Sequence, residues 1–523
     1  MITKLNRHQR DIVDSNSGMK RYLESLLRGK DFTPRSWLYE DQPADHILKM
    51  WEKKLSVLEK SSSIFDQRIF QFDTSQLTKW GPQGGVAPIS DLMEIVEEGF
   101  KLGASPRPKV FDDPDWLKAK EICKRILSKA GLNGTLRPAS YKHVLDDMRA
   151  RDTLESNSGW PLFTRRSKPE VVEDSIAAAS NGSYKTYPAI ALFRNYNNKT
   201  RLVWMFPMAT NLVEGSFFQP LQSALVRAYK FGEPLEFFAP WIGFEEVRKM
   251  IGEHYSHSGY CAASDFTSTD AHFTKWSSLE ACELIQHCFQ PEYRDAIRDS
   301  ILHMHNIPLV IGPDQMITGE HGVSSGSNWT NFIETLFDWI LSKYVAIVSA
   351  KRRGKSKPYF GLYAIGDDMS WGSMTYWDAF AAFLQEVGEQ VGQIIKAEKT
   401  SNERDYVKSL QRLFQRGYRR PDGQIRAVYP TIRALKSSVY PERFHDPRKW
   451  SVDMFCARQY MILENCVDHP LFEEFVEFVV HGHPMLIPFA QKSAKDLDRI
   501  LRESKLLPGL NPTYNQERRD QSP

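Results

Sequence analysis

The segment from Tyr363 to Trp371 leaves a chain few ways to fold. Apolar residues stand on both sides of Gly366-Asp367-Asp368, the pattern of two short strands closed by a tight turn with acids at its tip. Gly366 supplies backbone freedom beside the turn, and the apolar flanks tie both arms into a sheet. Adjacent carboxylates on a fixed hairpin repel one another unless a cation lies between them, which points to a divalent metal. A solvated turn would tolerate the same triplet, so the choice falls to the rest of the chain.

Upstream, Asp265-Phe266-Thr267-Ser268-Thr269-Asp270 follows Tyr260-Cys261-Ala262-Ala263, a small-residue run suited to a buried strand. Asp265 would emerge at the end of that strand, and Asp270 would open the next helix. Between the two acidic motifs, Ser324-Ser325-Gly326-Ser327-Asn328 reads as a flexible loop running through Trp329, Thr330 and Asn331 into an apolar helix. Acid-tipped strand, Ser/Gly loop with its helix, then acid-tipped hairpin is the order found in a nucleic-acid polymerase palm. That order is more specific than any of its members.

With 523 residues the chain has room for two or three domain-sized units. An apolar fraction of 41%, with 12% aromatic residues, supports a core and excludes global disorder. The net charge of +3 hides an asymmetry: residues 401–450 hold twelve Lys/Arg against five Asp/Glu, which leaves −4 on the remainder. A basic face of this kind suits nucleic acid. Cys123, Cys261, Cys282, Cys288, Cys456 and Cys466 form no CxxC pair and read as reduced thiols. Met1 to Arg10 lacks the apolar stretch of a secretory signal, and no run of about twenty apolar residues suits a membrane span.

Residues 1–145 are expected to be helical, with Ile47, Leu48, Trp51, Leu55 and Leu58 at helical spacing. Asn157 to Pro161 reads as a loop. Residues 185–201 then carry Lys185, Arg194, Lys199 and Arg201 without one acid, interleaved with Tyr187, Phe193 and Tyr196. A basic strand pair of this kind suits a triphosphate or a template backbone, although an ordinary solvated face has the same composition. Leu202 to Pro207 is expected to be a buried strand ending at proline. Past the acidic hairpin come a helix over 378–393, a strand or turn over 394–400, and helices from Trp450 on. There Leu471, Phe475, Phe478 and Val479 form one apolar stripe that reads as core.

Two tempting motifs fail. Gly354-Lys355-Ser356 ends like a Walker loop, but Ser349 stands where that loop needs glycine. His254, His257 and Cys261, or His303 with His305, lack a second ligand pair at zinc spacing.

Taken together, the quoted residues resemble viral RNA-dependent RNA polymerases, specifically those of the picobirnavirus–partitivirus group of double-stranded RNA viruses. The resemblance runs from about Ser158 to Phe444 and is most distinctive from Gly417 to Pro430 and from Ile432 to Glu442. It implies an α+β right-handed fingers–palm–thumb fold encircled by an N-terminal extension. Residues 1–145 would bridge fingers and thumb, 146–259 would form fingers, 260–435 the palm with interleaved fingers segments, and 436–523 the thumb and tail. The implied activity is RNA synthesis on an RNA template, usually without a primer, inside a viral particle in the host cytoplasm. Template RNA, product RNA and ribonucleoside triphosphates would be bound; the viral coat protein would be a partner, and a membrane would not.

Carried over by position, Asp265 and Asp367 match the metal-binding acids of the palm and Asp368 their neighbour, implying two Mg²⁺ ions for which Mn²⁺ can substitute. Asp270 matches the acid that reads the ribose 2′-hydroxyl, Ser325 and Gly326 the loop beside the nascent pair, and Thr330 the helix residue near that ribose. Lys199 and Arg201 resemble basic residues that hold the triphosphate, and Lys399 the lysine that protonates the leaving pyrophosphate. Ser158, Gly159 and Pro161 resemble a loop that guides the template. Lys185, Arg194, Arg419 and Arg420, on the two basic segments, are expected to face RNA. One position departs from the pattern. Glu334 stands four residues after Thr330, where many such polymerases carry asparagine, while Asn331 follows Thr330 directly. Which residue partners Asp270 is left open.

A reverse transcriptase shares the acid strand and acid hairpin, but it usually carries an aromatic residue two before the paired acids, where this chain has Ile365. An inactive palm-fold RNA-binding protein is the other alternative, and the intact acids speak against it. From Leu506 on, Pro508, Gly509 and Pro512 exclude a helix. The end of the chain reads either as a tail or as a removable plug whose Tyr514 stacks on the first nucleotide.

Overall fold

In the computed structural model, which describes residues 1–232, 234–355 and 357–504, three sheets set among helices position the site. The segment from Leu506 read as tail or plug lies outside the described residues. The first sheet runs β1 (Ile2–Lys4), β6 (Gln315–Ile317), β5 (Leu309–Val310), β2 (Ala189–Tyr196), β3 (Lys199–Met205). β2 and β3 are the expected basic strand pair. Asn197 and Asn198 close it with φ of 55° and 58°, the left-handed geometry that asparagine tolerates. Its register sets Arg194 opposite Arg201.

The expected buried strand after Arg201 is only partly so, because among the β3 residues only Trp204 is buried. β3 is the sheet edge and one of its faces lines a cleft, so Leu202 and Val203 remain half-exposed. The strand β1 was not visible in the helical reading of the first 145 residues, since a three-residue strand carries too little alternation to register.

The second sheet runs β7 (Phe360–Ile365), β8 (Asp368–Ser373), β4 (Tyr260–Ser264), β9 (Ser401–Asn402). Small side chains let β4 lie buried between its neighbours, with Cys261 and Ala262 almost without exposure. β4 and β8 are antiparallel with Ser264 opposite Met369, so the next step along the ladder brings Asp265 level with Asp368. The third sheet, β10 (Tyr406–Ser409), β11 (Arg412–Arg419) and β12 (Ile425–Val428), is a meander built from the basic 401–450 segment.

Leu5, Val13, Met19, Leu23 and Leu26 pack into the largest core, with the first sheet and the helix Thr330–Arg353. Ile47, Trp51, Leu55, Ile69 and Phe72 pack instead with Phe455, Phe475 and Phe478 in a second core. The N-terminal segment is thus anchored in both. At the second anchor the fully buried Asp73 accepts hydrogen bonds from the Thr431 backbone (3.0 Å) and hydroxyl (2.7 Å), from the Ile432 backbone (2.8 Å) and from the His469 ring (2.9 Å). Those N–H groups open the helix Thr431–Val439, whose own N-cap, Pro430, makes no side-chain cap bond. Asp73 caps that helix from across the fold.

Asp73→Ala would strand these donors in the core, at a cost of about 3–5 kcal/mol. The melting temperature is expected to fall by several degrees, whereas Asp14→Ala, at a 65% exposed side chain paired only with Lys20, should leave it unchanged. Equal melting temperatures for the two variants would refute the anchor.

Candidate active site

The hairpin forms as expected. Ile365 pairs with Asp368, which leaves Gly366 and Asp367 as a two-residue turn, with Gly366 at φ 58°. The Thr330–Arg353 helix holds that turn from beneath. Gly366 N–H donates to Thr335 Oγ1 (3.0 Å), and a Cβ at Gly366 would lie 2.4 Å from Asn331 Oδ1. Glycine is therefore required both by the turn and by the helix under it. From the β4 side, Thr269 Oγ1 donates to Asp367 Oδ2 at 3.0 Å and fixes one of its oxygens.

A cleft of about 640 Å³ lies between this hairpin and β3, and it gathers Lys199, Arg201, Asp265, Asp270, Ser325, Asp367 and Lys399. Arg201 is pre-oriented: its guanidinium lies 4.0 Å over the Tyr196 ring and donates to Tyr196 O at 3.0 Å. Gly326, Thr330 and Asn331 are outside the lining and act on its shape. A Cβ at Gly326 would lie 1.7 Å from Trp204 O, Thr330 Oγ1 donates to Ser324 O, and Asn331 is turned toward Gly366. Trp204 N–H donates to Ser325 Oγ at 3.1 Å, so the Ser/Gly loop is seated on β3.

The residues expected to face RNA are spread more widely. Ser158 and Gly159 are buried and bolted to the strand–helix junction after β3: Met208 N–H donates to Ser158 O at 2.9 Å, and a Cβ at Gly159 would lie 2.8 Å from Phe206 O. Pro161 alone reaches a groove, of about 490 Å³, shared with the helix Arg7–Ser15. Lys185 pairs with Asp299 (2.6 Å), Arg194 with Glu442 (2.7 Å), and Arg420 with Asp422 (3.4 Å) and Asp468 (3.7 Å). Arg419 instead donates to Ser256 Oγ (2.6 Å) and Gly423 O (3.0 Å) and has no ion-pair partner among the described residues.

Crowding of acids sets the electrostatics. Burial pushes Asp367 up to about 6, helped by the charges of Asp265 and Asp270 and opposed by the Thr269 hydrogen bond. Burial also raises Asp265, against the pull of Lys399, Lys199 and Lys79. For Asp368 the enclosing protein and then Asp367 and Asp265 push upward, but its side chain opens to solvent, which moderates the shift. Among the described residues no three acidic, histidine or cysteine side chains already converge as a finished metal cage. Asp265 and Asp367 nevertheless fit a hard divalent cation. Mg²⁺ commonly takes one or two carboxylates and fills its remaining positions with water and substrate phosphate, and a cation relieves the repulsion that raises these acids.

Beneath them lies a second layer, of which the sequence marked Glu334 as a departure but not Asp338. Glu334 and Asp338, one turn apart on the Thr330–Arg353 helix, are both buried. Burial, then the charge of Asp270 for Glu334 and of Asp367 for Asp338, raises both well above the usual carboxylate range. Glu334 shares a hydrogen bond with Asp270 that lowers the Asp270 pKa and raises its own, so the proton resides on Glu334. The partner of Asp270 is therefore Glu334 and not Asn331. An i, i+4 pair of acids inside an otherwise apolar helix was the available signal.

Glu214 was missed as well. It is 1% exposed and accepts from Ser327 Oγ, from Asn328 N–H (3.0 Å) and from Asn211 Nδ2 (3.1 Å). Asn211 also donates to Gly326 O (3.1 Å) and accepts from Arg166 (2.9 Å), whose Nε donates to Asn157 O (3.2 Å). One buried chain of hydrogen bonds thus ties the Ser/Gly loop to the loop at Asn157.

The class these features define is a template-directed nucleic-acid polymerase, and the comparisons narrow it. The family described as viral RNA-dependent RNA polymerase matches residues 196–435. The potential RNA-dependent RNA polymerase of Human picobirnavirus (strain Human/Thailand/Hy005102/-) is 26% identical over 489 residues, covering 89% of this chain and 85% of the relative. The crystal structure of the RNA-dependent RNA polymerase of a human picobirnavirus superposes with a TM-score of 0.80 at 23% identity, covering 97% of this chain and 95% of that one. Its insertion-loop deletion mutant superposes with a TM-score of 0.79 at 24% identity, covering 96% and 97%. Residues 196–435 thus match the viral RNA-dependent RNA polymerase family, and the chain as a whole is similar to picobirnavirus polymerases and shares their fold.

Burial raises Glu214 from 4.5 to about 7, so the folded protein holds a proton there that the unfolded chain releases. Stability gained this way is full below 4.5 and is lost as pH rises toward about 7. Glu214→Gln is expected to flatten the pH dependence of the melting temperature across that window. An unchanged slope would contradict the assignment.

Proposed function

We propose that the chain replicates and transcribes a double-stranded RNA genome by nucleotidyl transfer at the Asp265–Asp367 pair, starting without a primer. The observation that carries this reading is the β4–β8–β7 register, which sets the two acids together across a cleft from Lys199 and Arg201. Asp265 and Asp367, with Asp368 beside them, would hold two Mg²⁺ ions, or Mn²⁺ in their place. Bound there, the ions supply activation of the attacking hydroxyl and neutralisation of phosphate charge.

The remaining steps belong to the protein. Lys199 and the pre-oriented Arg201 grip the triphosphate from the β3 wall. Lys399, in the same cleft, donates its proton to the departing pyrophosphate. Asp270 accepts from the ribose 2′-hydroxyl while the protonated Glu334 holds it in place. Thr269 keeps Asp367 aimed into the cleft. The Ser/Gly loop shapes the nascent pair through Ser325, Gly326, Thr330 and Asn331, and the template follows Pro161 on a loop that the buried Ser158 and Gly159 anchor, with support from Lys185, Arg194, Arg419 and Arg420.

The division into an N-terminal bridge (1–145), fingers (146–259), palm (260–435) and thumb (436–523) is part of this reading, and the anchoring of the N-terminal segment in both cores supports it. So is synthesis inside a viral particle in the host cytoplasm, with the coat protein as partner. Among the described residues no helix is long and apolar enough to cross a membrane.

The decisive test is synthesis on a short single-stranded RNA with primer omitted, with and without Mg²⁺. Full-length complementary RNA only when Mg²⁺ is present is expected; product made solely with deoxynucleotides would favour reverse transcription instead. Asp270→Ala and Glu334→Ala should each narrow the preference for ribonucleotides over deoxyribonucleotides by roughly 10–100-fold, because a site built to bond a hydroxyl rejects analogues lacking it. Glu334→Gln, which keeps a donor toward Asp270, should retain most of the preference. Unchanged discrimination in both alanine variants would move sugar reading elsewhere.

A further inference from the structure

The β2–β3 hairpin brings Lys199 and Arg201 to the cleft from the edge of the first sheet. A two-stranded tip at a sheet edge is weakly held unless something outside it supplies contacts. Arg201 owes its orientation to Tyr196, whose ring lies 4.0 Å beneath the guanidinium and whose carbonyl accepts from it at 3.0 Å. A longer contact reaches Lys199 O at 3.5 Å, and among the described residues Arg201 has no ion-pair partner. Whatever fixes Tyr196 therefore fixes Arg201.

Support comes from the loop Gly81-Pro82-Gln83-Gly84-Gly85 of the N-terminal segment. Gln83 is 6% exposed, and its carboxamide spans two backbones. Its Oε1 accepts from Asn197 N–H at 3.0 Å, and its Nε2 donates at 2.6 Å to the carbonyl of Tyr440, the residue that ends the helix Thr431–Val439. A carboxamide joins an acceptor and a donor on one planar group, which a bridge between an N–H and a carbonyl requires. On the other side of Tyr196, Gly84 N–H donates to Asn195 O at 2.9 Å and Asn195 Nδ2 to Gly85 O at 2.8 Å. Gly84 has φ 82°, and a Cβ there would lie 2.5 Å from Glu442 O, so the loop runs directly against the backbone beyond that helix. Both neighbours of Tyr196 are thus bonded to one loop, and the loop is fastened to the helix that Asp73 caps.

We infer that Gln83 is a positioning residue for nucleotide binding. By tying the hairpin tip to the end of the Thr431–Val439 helix, it holds Tyr196, and through Tyr196 the Arg201 guanidinium, in the orientation that meets a triphosphate. The last step rests on the proposed role of Arg201; the tie itself does not. Because the carboxamide is buried, its loss leaves Asn197 N–H and Tyr440 O without a replacement partner, and the tip is freed from the helix.

Two measurements on the full chain test this with Gln83→Met, which keeps the length of the side chain and removes both hydrogen bonds. Hydrogen–deuterium exchange reads the tie without any activity: the amides of residues 195–198 are expected to exchange roughly tenfold faster than in the wild type. Single-nucleotide extension of an annealed primer reads the consequence. The KM for nucleotide should rise by roughly tenfold, the scale of one charge-assisted hydrogen bond, with a smaller fall in kcat and unchanged affinity for the primer–template. Added to Arg201→Ala, Gln83→Met should change KM by no more than about twofold, because a residue that acts through Arg201 then has nothing left to position. Asn195→Ala is a milder change at the same tip: it removes one hydrogen bond to the loop, at a side chain whose Oδ1 has no partner. It should give a smaller rise in KM, again absent beside Arg201→Ala. Exchange at the tip equal to wild type, or effects of Gln83→Met and Arg201→Ala on KM that simply add, would overturn the proposal. Faster exchange in Gln83→Met together with an unchanged KM in Arg201→Ala would fault the triphosphate role of Arg201 and leave the tie standing.

Discussion

Everything at the catalytic cleft depends on the pairing of β4 with β8. That ladder, with Ser264 opposite Met369, brings together two acids that are far apart in sequence, and the two-residue turn between β7 and β8 lifts Asp367 beside them. Such a cluster is costly, and the fold contains the cost from below. The Thr330–Arg353 helix fixes the turn through Thr335 and Asn331 and places Glu334 and Asp338 under it as neutral carboxylic acids. Neutral acids can stand where further charges could not. Burial favours the protonated form of Asp265 and Asp367 above them, so a cation bound there, as proposed, would displace protons.

β3 is the second structural dependency. The Ser/Gly loop and the loop at Asn157 both rest on the backbone from Trp204 to Met208, and both do so through a glycine. A Cβ would lie 1.7 Å from Trp204 O at Gly326 and 2.8 Å from Phe206 O at Gly159. Arg166, Asn211 and Glu214 join the same two loops from behind. The elements read as guiding template and nucleotide therefore share one rigid base, and a shift of either is felt by the other.

The hairpin, the acid-tipped strand and the loop-to-helix passage were legible because each is encoded locally: a period of two, a glycine at a turn, small residues where a strand is enclosed. What the sequence withheld are pairings across the fold. Arg194 reads as a free cation until Glu442, 248 positions on, is found bound to it. Thr269 looks like filler within an acidic motif, yet its hydroxyl orients Asp367. Asn331 had the right chemistry to meet Asp270, but it lies against the hairpin turn, and Glu334, three residues and about 4.5 Å further along nearly the same helix face, reaches Asp270 instead. Asp73 shows the same blindness for stability, since its helix partners lie 358 and 359 residues away.

The central claim is that the acids form a metal site whose charge the fold holds back. It is tested most directly by calorimetric titration of Mg²⁺ or Mn²⁺ in buffers of different ionisation enthalpy, near pH 6, where burial places Asp367. A net release of protons on metal binding is expected, shrinking as pH rises and lost in Asp367→Asn. Metal binding with no proton release, or with the same release in that variant, would contradict it.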